Sequence, residues 1–86
     1  MTLRVSVHTM AGGQDKEAGT ITLTDGKLAA EPDSALLREI LADDIVAPDG
    51  AGGLERLDAS DPERFLRALH YQYKSAYLRV SEAEEV

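Results

Sequence analysis

The chain has 86 residues, a formal charge of −7 and no cysteine. That length makes one small domain. The acidic balance disfavours coating nucleic acid or an anionic membrane surface, and the missing thiols exclude disulfides, thiolate catalysis and cysteine-held zinc.

Residues 2–9 alternate strictly, with Leu3, Val5 and Val7 on one side and Thr2, Arg4, Ser6 and His8 on the other. A period of two predicts a half-buried strand. It also reads against a secretory leader, which needs a continuous apolar run. Residues 10–18 contain Gly12-Gly13 and the charged run Asp15-Lys16-Glu17 and read as a mobile loop. Asp25-Gly26 lies between two alternating runs, the signature of a two-residue hairpin turn. That turn pairs Thr24 with Lys27, Leu23 with Leu28, Thr22 with Ala29 and Ile21 with Ala30. Ile21, Leu23, Leu28 and Ala30 then share one face, so register and burial agree.

Pro32-Asp33-Ser34 is a helix-start cluster, and Leu36, Leu37, Ile40 and Leu41 make one apolar stripe. The expected helix covers about 33–42. Ile45-Val46 and the stretch from Leu54 to Leu57 read as short extended pieces around a mobile loop at 48–53. Asp61-Pro62 opens a second helix near 62–70, with Asp61 at its N-cap and Phe65, Leu66 and Leu69 as its stripe. Residues 76–82 alternate again and read as a last strand, the alternative being one helix from 62 to about 82. The acidic end, 82–86, is expected to fray.

The expected fold is therefore a single α+β domain over 1–86. It has a small antiparallel sheet of three or four strands, near 2–9, 19–24, 27–31 and 76–82, with two helices on its apolar face. One Phe and no Trp make a thin core, so modest stability or self-association is expected. No apolar run reaches the roughly 20 residues of a membrane span.

Charge is unevenly spread. From Arg64 to Ser81 there is no acidic residue, and Arg64, Arg67, Lys74 and Arg79 give that window +4, leaving −11 for the rest. All three tyrosines and His70 lie in the same window. Arg and Tyr carry binding energy at contact surfaces because they combine large rigid area with a polar end. Arg67, Tyr71, Tyr73, Lys74, Tyr77 and Arg79 are the candidate partner-binding residues. The bland reading is that the tyrosines edge the core and the cations pair with acids elsewhere.

Other chemistry is poorly supported. His8 and His70 show no metal-ligand spacing, and no metal or cofactor is expected. Asp43-Asp44 and Asp49-Gly50 lack the alternation and closing Glu of a calcium loop. Ser6 and His8 share a strand face without an oxyanion donor or pocket. Gly12-Gly13 and Gly52-Gly53 lack the pattern of a phosphate loop. The leading expectation is a non-enzymatic binding module that meets a protein partner or a second copy of itself. The alternatives are an inhibitor or antitoxin-like protein that fills the basic cleft of a nucleic-acid enzyme, and a small enzyme with a site shared between subunits.

The segments GTITLTDGKLAAEP (Gly19 to Pro32) and FLRALHYQYKSAYLRV (Phe65 to Val80) resemble pieces of short bacterial proteins that carry no assigned role. The resemblance implies a free-standing cytoplasmic protein and carries over no catalytic residue.

Overall fold

A computed structural model describes residues 1–86. The elements are β1 (Thr2–Ala11), β2 (Gln14–Thr24), β3 (Lys27–Glu31), α1 (Ala35–Ala42), β4 (Ile45–Pro48), β5 (Leu54–Leu57), α2 (Pro62–Gln72), β6 (Leu78–Val80) and β7 (Glu84–Glu85). The class is α+β, with two helices and a mostly antiparallel sheet, as expected. The layout is richer. Five strands form one sheet in the order β3-β2-β1-β6, with β7 also on β1, and β4 and β5 form a second, two-stranded sheet. No helix is long and apolar enough to cross a membrane.

The Asp25-Gly26 turn behaves as its chemistry dictates. Both residues have positive φ, 51° and 78°, which a type I′ turn requires. All four expected pairs across it form. The central pair is β1 with β2, running from Thr2↔Thr24 to Ala11↔Gln14. The segment read as a loop over 10–18 is therefore strand on both sides of a tight Gly12-Gly13 turn. Its alternation was hidden because Val7 pairs with Gly19 while His8 pairs with Glu17. Ala18 is the extra residue of a β-bulge, which breaks the period of two.

The end of the chain also departs from expectation. Instead of fraying over 82–86, Glu84 and Glu85 pair with Arg4 and Leu3. The strand expected at 76–82 is shorter, and β6 pairs Leu78, Arg79 and Val80 with Thr9, His8 and Val7. Between them, Ser81 donates its backbone N–H to the Ser6 carbonyl at 2.9 Å. The Ser6 N–H in turn donates to Ser81 Oγ at 2.8 Å. One edge of β1 is thus covered nearly end to end.

Leu3, Val5, Val7, Ile21 and Leu23 are buried on one sheet face, and Leu28 packs against them half-buried. Leu37 and Ile40 of α1 and Phe65, Leu66, Ala68 and Leu69 of α2 close over that face. Ser34 caps α1, its Oγ accepting from the Leu37 N–H at 3.3 Å, so the helix begins at Ala35 rather than at 33. Pro62 opens α2, but the Asp61 carboxylate caps no helix N–H and instead accepts from Arg64 at 3.4 Å. Ile45, Ala47 and Leu57 turn the β4–β5 hairpin toward α2 and join the core.

Gly19 is the tightest point. It is buried at φ +153°, and a Cβ there would lie 2.6 Å from the Glu31 carbonyl oxygen, 2.9 Å from Pro32 Cδ and 3.0 Å from Leu37 Cδ2. All three neighbours would have to move, two of them with the chain that leads into α1. Gly19→Ala is expected to lower stability by about 1–3 kcal/mol, read as a lower urea midpoint by circular dichroism. An unchanged midpoint would show that this approach is not fixed.

Candidate functional site

The candidate residues divide among three places. The first is the outer side of α2. Arg64, Arg67 and Tyr71 recur at three- and four-residue intervals, which aligns them along one side of a helix. Together with Ala47, Pro48, Glu55, Leu57, Ala68 and His70 they line a hollow of about 270 Å³ between α2 and the β4–β5 hairpin. Tyr71 keeps 45% of its surface in water and lies against His70, ring centroids 4.1 Å apart. His70 Nδ1 sits 2.9 Å from the Arg67 carbonyl oxygen.

Each basic side chain of this hollow already faces a carboxylate. Arg64 bonds Glu55 and reaches Asp61 at 3.4 Å. Arg67 pairs with Glu63 at 3.3 Å, and His70 Nε2 stands 4.0 Å from Glu82. The arginine pairs involve partly exposed side chains, so each contributes at most about 1 kcal/mol.

The second place is across α1. Tyr73 follows α2 as its C-cap, and its hydroxyl donates to Asp43 Oδ2 at 3.1 Å. With Leu36, Glu39, Ile40, Ala42, Asp43 and Leu78 it lines a separate hollow of about 330 Å³. Burial and the neighbouring Asp43 and Glu39 carboxylates push the Tyr73 phenol up to about 12.

The third place is the turn that carries β6 onto β1. Lys74 lies across from Arg79 and enters none of the ion pairs. Tyr77 is 77% exposed, while its carbonyl accepts from the Met10 N–H at 3.4 Å. Arg79 donates to Asp15 Oδ2, which also lies 3.3 Å from His8 Nδ1. The +4 window is therefore not a strip of free charge, and Arg64, Arg67 and Arg79 are all neutralised locally.

The remaining candidates have structural roles. Asp44 pairs with Arg56 at 2.6 Å, and that bond holds its carboxyl below the usual range. Asp49 Oδ1 accepts from the Ala51 and Gly53 N–H groups at 2.7 and 3.1 Å, which lowers its pKa and closes the β4–β5 turn. Ser6 and His8 line neither hollow. No three His, Asp or Glu side chains converge as a metal site. Arg64 and His70 belong with Arg67 and Tyr71, and the helical spacing of Arg64 was the signal for it. Glu55 and Pro48 enter from the other hairpin, and no local pattern announces them.

Tyr73 gives this geometry a pH signature. Its pKa is raised on folding, so its contribution to stability is present below the ordinary value near 10 and is lost as pH climbs toward 12. Absorbance of tyrosinate at 295 nm should include a late step near pH 12. Tyr73→Phe should lack that step, and its survival in the variant would assign it elsewhere. Comparison with protein-family models, curated proteins and solved structures finds no match to the chain, so its functional reading rests on these side chains.

Proposed function

We propose that the protein is a small acidic, non-enzymatic binding module that engages a protein partner through α2 and the turn that follows it. The observation that carries this reading is the exposure of Tyr71 and Tyr77, 45% and 77%, beside the cations of an otherwise acidic chain. Large aromatic side chains left in water next to arginines are the composition of contact surfaces. Neither hollow is lined by Ser, Thr, Cys or Lys.

A second reading has one observation in its favour. The Tyr73 hollow is edged by Glu39 and Asp43 and is lined by no cation. In that reading an acidic face enters the basic cleft of a nucleic-acid enzyme, and association slows steeply with added salt.

The test of the first reading places a photoreactive phenylalanine analogue at Tyr71, at Tyr77 and, as a control, at Thr22 on the uncovered sheet face. Light scattering on the 9.3 kDa chain first establishes whether it self-associates. Irradiation in native lysate should then give a discrete adduct from positions 71 and 77 and none from 22. Equal labelling from all three positions, or none, would overturn the reading.

A further inference from the structure

We propose that a second copy of this chain pairs with the free edge of β3, joining the two sheets antiparallel across a two-fold axis. The main sheet has little other edge to offer. On the β6 side, the Val80 N–H donates to the Tyr73 carbonyl at 2.8 Å and the Ser75 N–H to the Leu78 carbonyl at 3.2 Å. β7 consists of Glu84 and Glu85 and would set like charges against a second copy. β3 is the outer strand on the other side, and its backbone pairs only with β2. The two-residue turn makes Thr24↔Lys27 a hydrogen-bonded pair, and the ladder alternates from there. Lys27, Ala29 and Glu31 therefore turn their N–H and C=O groups toward β2. Leu28 and Ala30 turn theirs outward, where no other backbone group meets them. An open edge of this kind is a template for another strand.

The order of residues along the edge selects the occupant. β3 reads Lys27-Leu28-Ala29-Ala30-Glu31. Laid antiparallel on itself about Ala29, it sets each Lys27 opposite Glu31 of the other copy and each Leu28 opposite Ala30. Every outward N–H and C=O then finds a partner, because Leu28 and Ala30 fall in the hydrogen-bonded pairs. Lys27 and Glu31 fall in the non-hydrogen-bonded pairs, where facing side chains lie closer together. Both are exposed. Neither enters an ion pair within the chain, whereas every arginine does. Their charges are thus free to be matched from outside. Neighbouring registers lose this fit. A shift in one direction sets Leu28 against Pro32, which has no N–H, and a shift in the other sets Glu31 against Asp25. Leu28 and Ala30 are only half-buried, although Leu23 and Ile21 beside them on β2 are buried. A second copy therefore extends the apolar layer along with the sheet. Each copy carries −7, but at physiological salt that repulsion is screened beyond about 8 Å, and the opposed pairs sit at contact.

The test is sedimentation equilibrium of the full chain in 0.15 M salt, from about 10 μM to about 1 mM, the range expected for so small an interface. The chain should pass from monomer to dimer and form nothing larger, since a two-fold contact closes on itself. Lys27→Glu and Glu31→Lys should each weaken the dimer about tenfold, because each turns both attractive pairs into repulsive ones. Mixed in equal amounts, the two single variants should form a heterodimer of near wild-type strength. The double variant Lys27→Glu/Glu31→Lys should recover the homodimer. Both side chains are exposed, and circular dichroism confirms that each variant folds. Lys16→Glu makes the same charge change on β2 near the Gly12-Gly13 turn and should leave the dimer within twofold. A chain still monomeric at 1 mM, a dimer indifferent to Lys27→Glu, or charge variants that fail to restore each other would overturn the proposal. The outcome is separate from the α2 reading, because β3 holds neither Tyr71 nor Tyr77.

Discussion

Leu3, Val5 and Val7 on β1 and Ile21 and Leu23 on β2 face the same side of the sheet, and both helices bury their apolar stripes against them. That arrangement is a register, and a slip of one residue would turn all five side chains to water. Gly19 completes it. It pairs with Val7 on the same inner face and leaves room for the Glu31 carbonyl, Pro32 and Leu37 to approach. The entry into α1 is thereby laid directly on β2. With so few large side chains available, this close approach does what bulk does in a larger core. The bulge at Ala18 follows from the same constraint. It lets β2 continue toward the Gly12-Gly13 turn without carrying Glu17 into the apolar layer.

Charge is arranged on a different scale from packing. The chain is strongly acidic, yet its arginines do not gather into a free patch. Arg4, Arg38, Arg56, Arg64, Arg67 and Arg79 all meet carboxylates at the surface. Exposed pairs of this kind add little to folding, but they decide where a charge rests and which way a guanidinium points. Arg79 is instructive. It bridges β6 to Asp15 on β2 across β1, so its charge is spent tying three strands together. Arg67 pairs within its own helix with Glu63.

The most legible part of the fold was the one whose information is local. Asp25-Gly26 fixes a turn, the turn fixes a register, and the register agrees with the alternation of Ile21, Leu23, Leu28 and Ala30. Gly12-Gly13 is the same kind of signal, but the bulged residue Ala18 destroyed the alternation on one side and the charges of Asp15, Lys16 and Glu17 suggested a loop. Strand structure there comes from pairing with β1 rather than from burial. Glu84 and Glu85 are further still from a strand signature, and only the free edge of β1 makes them one. At the candidate site, residue types were legible and their partners were not. The sequence separates Arg79 from Asp15 by 64 positions and Tyr73 from Asp43 by 30, and nothing in either neighbourhood announces the pairing. Tyr73 accordingly belongs to the α1 side of the molecule, although it lies only two residues from Tyr71.

That short separation explains why two neighbouring tyrosines line two separate hollows. Residues two apart on a helix do not face the same way, and Tyr73 leaves the helix at φ −112° and ψ 88°. Tyr71 therefore stays with the arginines of α2, while Tyr73 crosses to Asp43 at the end of α1. Leu69 and Ile40 are both buried in the one apolar core beneath these elements. The net charge of −7 sets the same long-range background for both surfaces.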